Sequence, residues 1–295
     1  MSPQLTILID RALLILRKLF RSKQTITFGR LELCLPDNHL LPVYLKKYPA
    51  YDRFLPTLGA LLPPDSVVID VGANVGDTAI SMYARNSRLN FLCVEPSQVF
   101  YRFLEMNLRQ LDSSNVCTFN EAISNQSTGF KLSATNGTAK IEYRSGKDER
   151  HTRALDDLIS SMPSHFKEAN INLLKSDTDG QDSSVILSSA KTIRAHKPII
   201  FMECQVNNVE SIKGYLESFS FLKEAGYTEW HIFSNLGVFV KRVTDFISLE
   251  NILTENLEVS LKTGFPRYFD LLVATNLHSD IVYEAIRQHS QITVL

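Results

Sequence analysis

Cysteine is scarce in this 295-residue chain, and the four present, Cys34, Cys93, Cys117 and Cys204, share no C-x-x-C spacing. That argues against a dithiol redox centre or a cysteine-ligated metal. Free, buried thiols in a reducing compartment are expected instead. Glycine (12) and proline (11) are also sparse, which excludes collagen-like and low-complexity architectures. The formal net charge is only −1, so the positive field typical of nucleic-acid binders is missing and no nucleic-acid partner is expected. No uncharged apolar run approaches the ~20 residues that span a bilayer. Met1 to Ile9 carries none of the positive charge that opens a secretory signal, so a cytoplasmic location is expected.

What is present is a chain with 44% hydrophobic residues, long enough at about 150 residues per domain for one or two domains and a sizeable core. Charge is unevenly spread. Arg11, Arg17, Lys18, Arg21, Lys23 and Arg30 face Asp10 alone in the first 30 residues, a net +5 that leaves −6 on the remainder. Apolar residues recur at Leu5, Leu8, Ile9, Ala12, Leu13, Leu16, Leu19 and Phe20, the spacing of an amphipathic helix. Such a helix docks on its own domain or lies on an anionic membrane surface through residues 5–23, which would put the protein at the inner face of the membrane.

Gln24 to Leu35 alternates around Gly29-Arg30 like a hairpin, and a helix is expected over Asp52 to Leu61. Short apolar runs then alternate with helical patterns. Strands are expected at Ser66 to Val71, Asn90 to Val94, Val116 to Phe119, Ile171 to Lys175 and Pro198 to Met202, with helices over Thr78 to Ala84, Val99 to Leu111 and Val185 to Ile193. This cadence predicts a parallel sheet covered on both faces. Gly129 to Arg153, rich in Thr, Ser and Gly, is an excursion that reads as a small hairpin insertion or a lid. Beyond Glu203 come a helix through Ile212 and Leu222, a hairpin at Trp230 to Phe233 and Val238 to Val240, a strand at Phe269 to Ala274 and a closing helix. The division expected is a helix and hairpin extension over residues 1–50 and one α/β domain over 51–295.

Open α/β sheets bind ligands beyond the carboxyl ends of their strands. The first such turn here is Asp70-Val71-Gly72-Ala73-Asn74-Val75-Gly76-Asp77-Thr78, where two glycines let backbone approach a ligand and a helix start offers amide donors. Glu95 closes the next strand nineteen residues after Gly76, the position of a carboxylate that accepts from ribose hydroxyls. Asn74 stands where the dinucleotide fingerprint has its second glycine, which disfavours a pyrophosphate and leaves S-adenosylmethionine (SAM) as the nucleoside ligand. After the fourth strand, Lys175, Asp177, Asp179 and Asp182 gather at the same sheet edge, with Glu203 beyond them. Carboxylates this close shift one another's pKa values and suit a general base. Asp182 also reads as a helix cap. Asp-x-Asp leaves a divalent metal open, without diagnostic spacing.

These strings together, V-I-D-V-G-A-N-V-G-D-T (Val68 to Thr78), V-E-P (Val94 to Pro96), A-L-D-D-L (Ala154 to Leu158), L-L-K-S-D-T-D-G-Q-D (Leu173 to Asp182), P-I-I-F-M-E (Pro198 to Glu203) and F-D-L-L (Phe269 to Leu272), resemble the FkbM family of SAM-dependent methyltransferases. The resemblance implies a Rossmann-like class I methyltransferase fold with a seven-stranded, mostly parallel sheet and helices on both faces. It implies methyl transfer from SAM to a hydroxyl, on a sugar of a glycan or a secondary metabolite. By the same resemblance Asp70, Gly72, Asn74 and Gly76 surround the methionine part of SAM, Glu95 binds the ribose, Glu121-Ala122 lie near the adenine, and Asp77, Thr78 and Pro96 complete the cofactor-binding set. The chain departs from the family pattern at Ser176, commonly apolar, and at Asp179 and Asp182, commonly Glu.

An alcohol must lose its proton as it takes a methyl group. Asp177 is the expected base, with Lys175 or Asp179 tuning it and His151 in the excursion as the alternative. His231, in an apolar strand, reads as structural. A non-catalytic SAM- or nucleotide-binding module in a glycan-assembly complex is the competing class. A nicotinamide oxidoreductase is disfavoured by Asn74 and by the missing Tyr-x-x-x-Lys base.

Overall fold

The computed structural model describes residues 24–135, 138–143 and 150–292. The basic amphipathic segment and the membrane contact expected of residues 5–23 lie outside the described residues.

The expected hairpin is β1 (Gln24–Phe28) and β2 (Leu31–Leu35), turned at Gly29 with φ +61°. Two short helices follow, α1 (Leu41–Lys47) and α2 (Phe54–Leu61). Strand and helix then alternate through β3 (Val67–Val71), α3 (Asp77–Tyr83), β4 (Asn90–Val94), α4 (Gln98–Leu108) and β5 (Val116–Phe119). β3 is buried along its whole length, as a parallel strand under helices on both faces must be. The Gly129 to Arg153 excursion folds as β6 (Gly129–Thr135), β7 (Thr138–Tyr143) and β8 (Arg150–His151), an antiparallel sheet ordered β7-β6-β8.

After α5 (Leu155–Ser160) and α6 (Ser164–Glu168) comes β9 (Ile171–Ser176). The single helix expected over Val185 to Ile193 is two, α7 (Asp182–Ser188) and α8 (Ala190–His196). Ser189 separates them, its hydroxyl donating to the carbonyls of Val185 and Ile186. Such back-bonding bends a helix. β10 (Ile199–Gln205), α9 (Val209–Glu224), β11 (Glu229–Ser234) and β12 (Phe239–Val243) follow. An 18-residue helix not expected from the sequence, α10 (Phe246–Thr263), precedes β13 (Tyr268–Ala274) and α11 (Ser279–Ile292).

The main sheet has eight strands, not the expected seven, in the order β12-β11-β13-β10-β9-β3-β4-β5. β5, β4, β3, β9 and β10 are parallel, and β13 runs antiparallel to β10 and β11. The additional strand is β12, an edge whose Val240, Lys241 and Arg242 are exposed. Alternation along the strands separates two apolar layers. One joins Val67, Ile69, Leu174, Ile200 and Leu271 to α9 and α10. The other joins Val68, Cys93, Leu173, Ile199 and Leu272 to α2, α3, α4 and α11. Asp70, Glu95, Lys175, Glu203 and Asp270 share the side-chain parity of this second face, so its polar end is assembled where the parallel strands finish. Cys93 and Cys204 are buried, whereas Cys34 and Cys117 are half-buried rather than fully enclosed; all four are free thiols.

Candidate active site at the carboxyl ends of the parallel strands

A cavity of about 330 Å³ opens at that end, walled by the turns after β3, β4, β5 and β9 and covered by residues 39–55. Gly72 has φ +77°, and a Cβ built there would lie 1.8 Å from the carbonyl oxygen of Asp177, so only glycine lets these two turns approach. The Gly72 and Ala73 amides donate to the Val94 carbonyl at 2.9 and 3.0 Å, tying the turn to β4. Asn74 sits at φ +47°, the left-handed region that asparagine enters more readily than most residues. Its amide donates to Glu95 Oε2 at 2.9 Å, and His39 Nε2 lies 3.2 Å from its side-chain oxygen.

The Glu95 carboxylate is fixed from both sides, since the Ser97 amide donates to Oε1 at 2.7 Å. Burial pushes its pKa up to about 7, against the pull of the Ser97 and Asn74 amides and Lys175. Pro96, Glu121 and Ala122 line the cavity beside it. This wall is knitted together by Asn120, whose amide donates to the Glu95 carbonyl at 2.7 Å, and by Arg150 on β8, which donates to the carbonyls of Pro96, at 2.6 Å, and Asn120. The Arg150 guanidinium also lies over the Phe130 ring, 5.2 Å from its centre.

Lys175 organises the opposite wall. Its ammonium is 2.9 Å from Asp70 Oδ1 and 3.7 Å from Asp177 Oδ2, and it donates to the Gly72 carbonyl at 3.1 Å. Burial opposes its charge, but Asp70, Asp177 and Asp77 outweigh burial and hold its pKa above the ordinary lysine value. Asp77 is pushed up to about 6, by burial first. Asp177 is half-exposed at the cavity surface, with its backbone amide donating to the Val71 carbonyl at 3.0 Å. Asp179, at φ +53°, lines the cavity as well. Asp182 is not the helix cap, which falls on Gln181; its Oδ1 accepts from the Ser176 hydroxyl at 2.5 Å, and burial raises its pKa to about 7.

Of the residues singled out in the sequence, Gly72, Asn74, Asp77, Thr78, Glu95, Pro96, Glu121, Ala122, Lys175, Asp177 and Asp179 line one cavity. Asp70 and Gly76 stand behind its wall. Asp70 is fully buried and acts through Lys175, while a Cβ on Gly76 would meet Leu104 at 2.9 Å, so that glycine serves the packing of the turn on α4. His151 is exposed on β8 and does not line the cavity. His231 is buried 3.5 Å from Glu229, as a structural residue. The cavity is also lined by Tyr44, Tyr51 and Asp52, from outside the βα repeat, and by Tyr268 and Asp270, at the start of β13, none of them expected from the sequence. F-D-L-L was the one signal for the last pair.

The strand order, the glycine turn after β3 and the carboxylate after β4 define a class I SAM-dependent methyltransferase fold. Residues 70–229 match the family profile described as the methyltransferase FkbM domain, and the chain belongs to the FkbM methyltransferase family. Its cofactor is SAM. The residues present fit that group, because Glu95 lines the cavity and keeps lone pairs beyond its two backbone bonds. Among solved structures, methyltransferase FkbM from Methylobacillus flagellatus KT is 16% identical with a TM-score of 0.35, over 48% of this chain and 33% of that one. This chain therefore spans about a third of that relative's length. Precorrin-6y C5,15-methyltransferase from Geobacter metallireducens GS-15 is 11% identical, with a TM-score of 0.38, over 75% of this chain and 86% of that one. The plantazolicin methyltransferase BamL, solved with S-adenosylhomocysteine (SAH), is 12% identical with a TM-score of 0.42, over 76% and 83% respectively. No curated protein matches.

Proposed function

We propose that the protein methylates a hydroxyl, on a sugar of a glycan or on a secondary metabolite, with Asp177 as the base. The observation that carries this reading is the placement of Asp177, a half-exposed carboxylate at the cavity surface, 3.7 Å from the Lys175 ammonium. Bound SAM supplies a methyl group on a sulfonium, so that transfer breaks the sulfur–carbon bond, forms an oxygen–carbon bond and leaves SAH.

The turns at Gly72 and Glu95 fix the nucleoside end, which leaves orientation of the acceptor hydroxyl as the main contribution to rate. Asp177 accepts the alcohol proton as the new bond forms. Lys175 holds Asp177 in position through their ion pair, while Asp70 balances Lys175 from behind the wall. Incubation with methyl-labelled SAM and fractionated glycans or lipid-linked sugars tests the reading. Label on an acceptor oxygen is the expected result, and label on nitrogen or carbon, or SAM binding without transfer, refutes it.

A further inference from the structure

The cavity extends past the turns that hold the nucleoside. Its far wall is the edge of β10 and β13, which run antiparallel with Glu203 paired directly to Asp270. Residues paired in this way project from the same face within about 5 Å of each other at Cβ, and two like charges so placed are destabilising unless something lies between them. Glu203 is only 6% exposed, and its Oε2 has no hydrogen-bond partner among the described residues. A buried carboxylate oxygen with no donor is costly, so it calls for a ligand that donates.

The rest of the lining carries Asp52, exposed to solvent, and a pair of tyrosine rings. Tyr44 and Tyr51 stack with centroids 5.1 Å apart, and both line the cavity with Tyr268. Asp52 itself is held at φ +52°, outside the comfortable range for a residue with a side chain. Among the described lining residues the one ammonium or guanidinium group is that of Lys175, already engaged by Asp70 and Asp177. SAM brings a single net positive charge at the nucleoside end, which leaves the Glu203–Asp270 pair with no cation of its own. No three acidic, histidine or cysteine side chains among the described residues are arranged to hold a metal ion. An organic cation, able to reach both carboxylates of the pair, meets this demand.

We propose that this end of the cavity is an ammonium subsite, and that the methyl acceptor is an amine-bearing polyol such as an amino sugar or aminocyclitol. The inference rests on the hydroxyl-methylation reading and names the substrate class for it. The ammonium donates to Glu203 and Asp270 and lies against the tyrosine faces, which attract cations. Held among carboxylates, the amine keeps its proton and has no lone pair to offer, so a neighbouring hydroxyl is the nucleophile. Burial raises the Glu203 and Asp270 carboxyls well above their ordinary range, and Asp177 adds to both shifts. A bound ammonium reverses those shifts. Phosphorylated and carboxylated acceptors are repelled by the same groups.

The test titrates SAH-loaded protein by calorimetry with glucosamine and 2-deoxystreptamine, each beside its N-acetylated form, and follows methyl transfer from labelled SAM to the same four compounds. At least one free amine binds ~10-fold or more tighter than its acetylated partner, and Glu203→Gln abolishes that preference without changing SAH affinity. Equal binding of amine and amide, or no binding of either amine, overturns the inference. Amine-selective binding with no methyl reaching oxygen upholds the subsite and refutes hydroxyl methylation. Equal methylation of the acetylated compounds on oxygen does the reverse. If Glu203→Gln fails to fold, Asp270→Asn gives the same comparison from the other side of the pair.

Discussion

Lys175 on β9, which lines the cavity, and Asp70 on β3, fully buried behind it, meet at 2.9 Å. They are neighbours in register across the parallel strands, so the sheet itself sets their separation. Neither charge is supportable alone at that depth, because a buried ion without its partner keeps its full desolvation cost. Lys175→Met is expected to destabilise the protein by about 3–5 kcal/mol, and pairing it with Asp70→Asn to recover a substantial part of the loss. Urea denaturation of the two variants measures this, and a double variant no more stable than the single one contradicts the pairing.

Gly72→Ala tests the contact between the two turns. A Cβ there lies 1.8 Å from the Asp177 carbonyl and the φ is +77°, so both the turn and the base must move. A loss of about 2–4 kcal/mol is expected, together with loss of SAM binding. Wild-type stability and affinity in this variant contradict the described approach of β3 to β9.

The raised carboxyls give the protein a pH signature. Glu95 and Asp182 are pushed up to about 7 and Asp77 to about 6, each chiefly by burial. The native state therefore binds more protons than the unfolded chain between about pH 4.5 and 7, and these groups lose their contribution to stability as pH rises through their folded pKa values. The melting temperature is expected to fall from pH 5.5 to pH 8. SAM affinity is expected to move the other way, weakening below about pH 7, because the proposed ribose contact needs Glu95 as a carboxylate. Glu95→Gln is expected to weaken SAM binding ~10-fold and to flatten that profile. A profile of unchanged steepness in the variant assigns the titration to another group.

Arg150 reaches from the small sheet to the carbonyls of Pro96 and Asn120, joining the two turns of the nucleoside wall. It is a positioning residue, since it touches the wall and not the cavity interior. Arg150→Ala is expected to raise the KM for SAM ~10-fold while kcat stays within about two-fold. Arg150→Lys, which keeps one donor direction of two, is expected to fall between. A loss confined to kcat removes this role.

Much of the site is legible in the chain because local pattern and chemistry coincide there. The runs V-V-I-D-V and N-F-L-C-V announce buried parallel strands, and the turn after the first must carry glycine, so Gly72 and Glu95 are readable together. Asn74 is only half-readable. Its identity argues against a pyrophosphate, but its left-handed backbone, which asparagine supports, appears only in three dimensions. The Glu203–Asp270 pair depends on the register of two strands whose paired residues lie 67 positions apart, which no window of sequence encodes. Tyr44 reaches the cavity from a short helix, and Tyr51 and Asp52 from the turn that follows it, segments that carry little signal of their own. Helix α10 was readable from Leu249, Leu253 and Leu257, yet exposed Ile247 and Leu261 blur its apolar stripe.

Single-turnover methyl transfer by Asp177→Asn, measured beside its equilibrium affinity for SAM, tests the central claim most directly. The account predicts SAM binding within about three-fold of wild type and a transfer step slower by ~100-fold or more, since a positioned base contributes about that much. An undiminished transfer rate with unchanged SAM binding contradicts the assignment of Asp177 as the base.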